Sequence, residues 1–255
     1  MERLFIHPDA APVLSGPDWA RLDDFRARLL SRPVKRHGAY VERGALAAPG
    51  GTIPVYFKLY EEPRGEWRFW LRASKARCEF ENYETFARLG VPAAQGLAWG
   101  EERDALGRLR RSFILTRAIP ESETLLEVYQ RRPPRAERLA AAKQLAEITR
   151  RLHAAHFFGR SLVWRNILVS REPGAGLKLH LIDCPRGGAA LLGRERRRLR
   201  DLATLDKGAR EHCSRSERLA FLLAYRQQPR LDDAARALVR GTLDYARRRW
   251  PEEWD

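Results

Sequence analysis

Four side chains in this sequence stand where packing alone gives them little reason to be. Lys58 interrupts the run Phe57-Lys58-Leu59-Tyr60, an awkward place for an ammonium without an anionic partner. Glu79 follows 21 residues later in a segment of helical periodicity, close enough in the chain for the helix to pack back onto the lysine, with Glu81 and Glu84 competing for the same role. Asn166 comes five residues after Ser161, and Asp183 ends an apolar strand pattern over residues 177–182. A cation for phosphate oxygens, a carboxylate to fix it, and two oxygen donors suited to Mg²⁺ are parts of a phosphoryl-transfer site.

The segment Gly159-Arg160-Ser161 with Asn166 behind it has the spacing of a kinase catalytic loop, His-Arg-Asp, four residues, then Asn. In that loop the Asp orients or deprotonates the hydroxyl that receives phosphate. Ser161 stands at its position here. Losing a general base typically costs ~10²–10⁴ in rate. His153 reads as a structural polar contact near the loop, nothing fixes a role for His156, and Cys184 reads as small packing. The sequence has no GxxxxGK[ST] and no clear GxGxxG; Gly44 and Gly50-Gly51 offer only a weak cover for phosphates.

These residues need elements to hold them. A helical pattern covers residues 19–30, with Leu22, Phe25, Leu29 and Leu30 spaced for one buried face. Strand patterns follow at 55–60 and 67–71. A helix is expected over 74–90, with Ser74 as its N-cap and Gly90 as its stop. Strands at 94–100 and 111–116 enclose a charged turn at Gly107. Beyond Pro120 the chain turns helical; residues 136–155 form the clearest helix, with Leu139, Leu145, Ile148 and Leu152 on one face. Short strands at 166–169 and 177–182 interrupt the helices, which return from 191 to the end. Residues 116–120 are the candidate hinge.

The chain of 255 residues carries 44% hydrophobic and 32% charged residues, with no apolar run long enough to span a bilayer. Its first residues lack the basic and apolar regions of a signal peptide, and its three cysteines, Cys78, Cys184 and Cys213, have neither disulfide nor zinc spacing. A reducing, cytoplasmic setting is expected. The net charge of +15, mostly arginine and dense at 194–200 and 247–249, points to an anionic partner. A solvated arginine-rich surface is the plainer account of any one cluster. Nucleic acid explains the charge but none of the ordered motifs, because aromatic and basic residues do not alternate along a strand.

Taken in order, Phe57-Lys58-Leu59-Tyr60, the segment 74–83, Gly90-Val91-Pro92, the segment 113–118, 164–169, 181–187 and 200–205 resemble the lipopolysaccharide kinase family, the Kdo/WaaP and InaA-type relatives of protein kinases. The resemblance implies an α+β, bilobal protein-kinase-like fold in a single domain over 1–255, with a small β-rich N-lobe (1–117) and a larger helical C-lobe (118–255). It implies ATP and Mg²⁺ as cofactors and transfer of phosphate to a heptose or Kdo hydroxyl of the lipopolysaccharide core at the cytoplasmic face of the inner membrane. By position, Lys58 holds nucleotide phosphates, Glu79 fixes Lys58, Thr116 and Ala118 border the nucleotide, Asn166 and Asp183 hold metal, and Asp201 is structural. Ser161 is the departure. Either transfer continues slowly, since a loose transition state asks little of a base, or the protein is an ATP-binding pseudokinase of envelope biosynthesis. An aminoglycoside- or choline-type kinase shares the fold logic but usually keeps the loop Asp and an acidic pocket, which the basic charge here does not suit.

Overall fold

The computed structural model describes residues 1–30, 34–36, 39–61, 72–160, 162–172 and 176–253. Ser161, the strand expected at 67–71 and most of the turn expected after Glu172 lie outside the described residues. The chain divides into two compact units, Met1–Thr85 with Ala94–Ile119, and Phe86–Ala93 with Pro120–Asp255.

The first unit is built on an antiparallel sheet of six strands: β1 (Glu2–Ile6), β2 (Val34–Arg36), β3 (Ala39–Ala48), β4 (Gly51–Glu61), β5 (Gly96–Arg103) and β6 (Leu109–Arg117), in the order β1-β5-β6-β4-β3-β2. The β3–β4 hairpin turns through Gly50 and Gly51, both at positive φ, a conformation glycine adopts without a Cβ penalty. The two-residue period of β4 buries Val55, Phe57 and Leu59 on one face and turns Lys58 and Tyr60 to the other. Helices α1 (Ala11–Leu14) and α2 (Leu22–Leu29) belong to the buried side, where Leu22, Phe25 and Leu29 join Leu46, Phe57 and Phe113 in one core. Phe25 stacks on Phe113 with ring centroids 4.6 Å apart.

The opposite face carries the first turns of α3 (Lys75–Arg88). Ser74 caps it by accepting from the Arg77 N–H at 3.2 Å. Phe80 lies so close to Gly96 of β5 that a Cβ there would meet its ring at 2.5 Å, so glycine sets the approach of helix to sheet. Sequence patterning finds α2, α3, β4, β5 and β6 but assigns no element to residues 2–6, which form β1 and pair with β5 from Glu2↔Glu102 to Ile6↔Ala98.

The second unit is mainly helical: α4 (Leu125–Gln130), α5 (Arg135–Ala154), α6 (Arg194–His212), α7 (Arg215–Arg226) and α8 (Asp233–Arg249). The expected face of α5 is buried at Leu145, Ile148 and Leu152, while Leu139 is only half-buried. Ala146 packs with Leu202 of α6, Tyr225 of α7 and Leu238 of α8. Two small sheets interrupt the helices: β7 (Glu123–Thr124), β9 (Ile167–Glu172) and β10 (Gly176–Leu181) in the order β10-β9-β7, and β8 (Phe157–Phe158) beside β11 (Gly188–Ala189). No helix among the described residues is long and apolar enough to cross a membrane.

Candidate functional site

Lys58 and Glu79 meet. The ammonium lies 3.2 Å from Glu79 Oε2, with Lys58 17% and Glu79 3% exposed. Tyr60 donates its hydroxyl to the same carboxylate oxygen at 2.8 Å, and Tyr83, one turn along α3, donates to Oε1 at 2.9 Å. A carboxylate this buried is tolerable because each oxygen is satisfied. The tyrosines therefore hold Glu79 in place independently of the lysine. Of the competing carboxylates, Glu81 pairs with Arg77 at 2.7 Å and Glu84 lies 3.7 Å from His7, so Glu79 takes the lysine.

The start of α3 has its own anchor. Glu101 of β5 is 1% exposed and pairs with Arg103 at 3.0 Å. Burial works to raise its carboxyl, but hydrogen bonds from Arg103 and Ser74 outweigh this and hold it below its usual range. Arg103 also donates to the Arg72 carbonyl at 2.8 Å, fixing the residues that lead into the helix.

At the far end of β6, Thr116 pairs in register with Tyr56 and Gly96, and its hydroxyl lies 3.5 Å from the Tyr56 carbonyl. Ala118 is buried, and its N–H donates to the Pro54 carbonyl at 2.9 Å.

In the second unit Asn166 closes a short 3₁₀ turn over Trp164–Asn166 and is 9% exposed. Its amide donates to the Asp183 carbonyl at 3.5 Å, and its own carbonyl accepts from the Ile182 N–H at 3.0 Å. The two expected metal residues are thus tied through the backbone. Asp183 has φ +54, a left-handed conformation that Asp adopts more readily than most residues. Among the described residues no three His, Cys, Asp or Glu side chains converge as a metal cage. One carboxylate and one amide are hard oxygen donors, and they fit Mg²⁺, which keeps water and substrate phosphates in its shell.

Sequence reasoning assigned Asp201 to structure without saying what it holds. Its carboxylate, 1% exposed, accepts from the N–H of Gly159 at 2.7 Å and of Arg160 at 3.2 Å, and from the Arg200 guanidinium at 3.3 Å. Arg160 is also left-handed, at φ +52, a strained state for a long side chain that these bonds over-determine. His153 lies against this anchor, its Nε2 3.6 Å from Asp201 and its Nδ1 2.8 Å from the Tyr225 hydroxyl. The Cys184 thiol donates to the Gly159 carbonyl at 3.2 Å, so Cys184 ties the loop to the segment that carries Asp183.

Residues 60–225 match the family model described as "Lipopolysaccharide kinase (Kdo/WaaP) family". The fold is similar to that of a solved structure titled "WaaP in complex with acyl carrier protein", with a TM-score of 0.72 and 22% identity over 99% of this chain and 100% of that one. It is also similar to a Rio2 kinase from Chaetomium thermophilum solved as an ADP/Mg²⁺-phosphoaspartate complex, with a TM-score of 0.55 and 15% identity over 92% of this chain and 76% of that one. No curated protein matches the sequence. The fold is α+β and protein-kinase-like.

Proposed function

Because the chain belongs to the lipopolysaccharide kinase (Kdo/WaaP) family, we propose that it phosphorylates a sugar hydroxyl, heptose or Kdo, in the lipopolysaccharide core, using ATP and Mg²⁺. The observation that carries this reading is the pair of Lys58 with the buried Glu79 at 3.2 Å. In a kinase the equivalent pair must be in place for the nucleotide phosphates to be held. Bound Mg²⁺ would neutralise charge on those phosphates.

Lys58 supplies the positive charge for phosphate oxygens, and Glu79, fixed by Tyr60 and Tyr83, keeps it from reorienting. Asn166 and Asp183 supply the metal donors. Thr116 and Ala118 border the nucleotide base. Ser161 stands where the acceptor hydroxyl is normally oriented, and a serine hydroxyl can position that group by hydrogen bonding but is a poor proton acceptor at neutral pH. Transfer therefore rests on positioning and electrostatics, which carry most of phosphoryl-transfer catalysis. Ser161 also favours a second reading, a pseudokinase that binds nucleotide and regulates or scaffolds envelope biosynthesis.

Single-turnover transfer of labelled γ-phosphate from Mg-ATP to core lipopolysaccharide separates the two, run beside Ser161→Asp. Transfer by the unaltered chain establishes the kinase; transfer only by the variant leaves the pseudokinase. A chain that binds nucleotide but yields no transfer in either form removes the sugar-kinase reading.

We place the protein in the cytoplasm, at the surface of the inner membrane. Leu191 and Leu192 are 76% and 84% exposed, and Arg194 and Arg196 follow them at the surface, a pairing of apolar and cationic groups suited to an anionic bilayer. The acyl carrier protein bound by the WaaP relative is a candidate partner here too. The helical unit has an apolar cavity of about 580 Å³ whose walls include Leu145, Trp164, Leu202, Phe221 and Leu238, room for an acyl chain. Co-elution with acyl-loaded carrier protein on gel filtration is the expected result, and separate elution removes this partner.

A further inference from the structure

The surface beside the loop at Gly159 and Arg160 holds more positive charge than its carboxylates balance. Strand β8 pairs antiparallel with β11 through Phe158↔Gly188 and Phe157↔Ala189, so Arg160, two residues past β8, and Arg186, two residues before β11, leave the sheet at the same end. Helix α6 brings two more guanidiniums: Arg200, which rests on Asp201 at 3.3 Å, and Arg197, three residues earlier on the same face. Arg160 donates its backbone N–H to that same Asp201 oxygen, so one carboxylate holds Arg160 and Arg200 side by side.

That carboxylate is already used. Asp201 serves two backbone N–H groups and Arg200, and no carboxylate among the described residues lies within ion-pair distance of Arg160, Arg186 or Arg197. The cost shows at Arg160, whose guanidinium is pushed below its usual range by burial first and then by Arg200, Arg197 and Arg186, with Asp201 only partly offsetting them. Like charges that bear on one another in this way favour an anion among them. The position is adjacent to the proposed chemistry, since the Cys184 thiol joins Gly159 to the segment bearing Asp183.

We propose that Arg160, Arg186, Arg197 and Arg200 form an anion-binding subsite that takes a phosphate or carboxylate already present on the acceptor glycan. The inference rests on the sugar-kinase reading and narrows it: the acceptor is a sugar whose neighbour in the core is already charged. Arginine is the side chain suited to this, because its planar fork meets two oxygens of phosphate or carboxylate at once. Asp201 positions Arg160 and Arg200, and Arg186 and Arg197 supply further donors.

The test is calorimetric binding of core oligosaccharide to the full chain and to its R186Q/R197Q variant, neither residue being part of the proposed nucleotide or metal machinery. Three glycans are compared: intact, dephosphorylated, and carboxyl-reduced. The expected result is at least tenfold weaker binding of intact glycan by the variant, with the difference abolished for whichever glycan lacks the recognised group. Equal binding of intact glycan by both proteins overturns the proposal, and so does an equal loss on all three glycans, which would mark a general change in charge or folding. Inorganic phosphate is titrated in parallel; phosphate binding that R186Q/R197Q loses while glycan affinity stays unchanged assigns the cluster to a free anion and also overturns it. Mg-ADP affinity tests the parent reading separately: no nucleotide binding with the glycan result intact removes the kinase and leaves the subsite.

Discussion

Tyr60 donates its hydroxyl to the same oxygen of Glu79 that lies 3.2 Å from Lys58, so the residue two along β4 from the lysine also fixes the lysine's partner. Strand alternation makes this inevitable, because Lys58 and Tyr60 share the face that α3 covers. Lys58→Ala should weaken Mg-ATP binding at least tenfold, whereas Tyr60→Phe should leave binding within a few-fold and cost about 1 kcal/mol of stability, the usual worth of one hydrogen bond. Nucleotide titration with a denaturation curve for each variant checks both. Undisturbed affinity in Lys58→Ala would remove that residue from the phosphate site.

Asp183→Asn isolates charge from backbone. Asn tolerates the left-handed conformation at φ +54 at least as well as Asp does, so the variant should keep its melting temperature. It should lose the Mg²⁺ dependence of nucleotide binding, because the carboxylate that would anchor the ion is gone. A variant that still binds nucleotide more tightly with Mg²⁺ than without would place the metal elsewhere.

Much of the proposed site was legible because its signals are local. A lysine in an apolar strand, a carboxylate in the next helix, and an asparagine and an aspartate flanking a short strand pair each announce themselves within a few residues. The partners of Glu79 were within reach of the same reasoning: Tyr83 is its i+4 neighbour on α3 and Tyr60 is the i+2 neighbour of Lys58. What left no pattern was contact across long separations. Strand β1 meets β5 some 100 residues away, and its five residues are too few to carry a strand pattern of their own. Asp201 serves the loop by accepting from backbone N–H groups 41 and 42 positions distant, and a side chain that bonds backbone asks nothing of the residue types it meets.

That anchoring makes Asp201 a sensitive carboxylate of the helical unit. Asp201→Ala empties a 1%-exposed position, strands two loop N–H groups and leaves Arg200, 22% exposed, without its carboxylate; two orphaned buried donors and a partly solvated charge together cost ~3 kcal/mol. Chemical denaturation should show a loss of that order. Asp201→Asn, which keeps an oxygen acceptor, should lose roughly half as much. A change below about 1 kcal/mol in Asp201→Ala would show that the loop does not depend on this anchor.

Alkaline pH should destabilise the helical unit, with a sign set by acids that the fold keeps protonated, the half-buried Cys213 and the buried Tyr225 among them. Burial, helped by Glu217, pushes the Cys213 thiol from 9.0 up to about 12, and burial pushes the Tyr225 hydroxyl from 10.0 up to about 12. Both groups are proton-bound in the folded protein at a pH where the unfolded chain has begun to lose the proton. The stability they contribute is complete below about pH 9 and is lost progressively between 9 and 12, at up to ~1.4 kcal/mol per pH unit for Tyr225 and less for the partly solvated Cys213. Urea midpoints measured from pH 8 to 11 should fall, and the fall should be shallower in Cys213→Ala. At pH 8 the folded Cys213 thiol should also alkylate far more slowly than an unfolded control, since the thiolate is the nucleophile. A difference between parent and Cys213→Ala that stays constant over this range would show that the thiol is not held protonated by the fold.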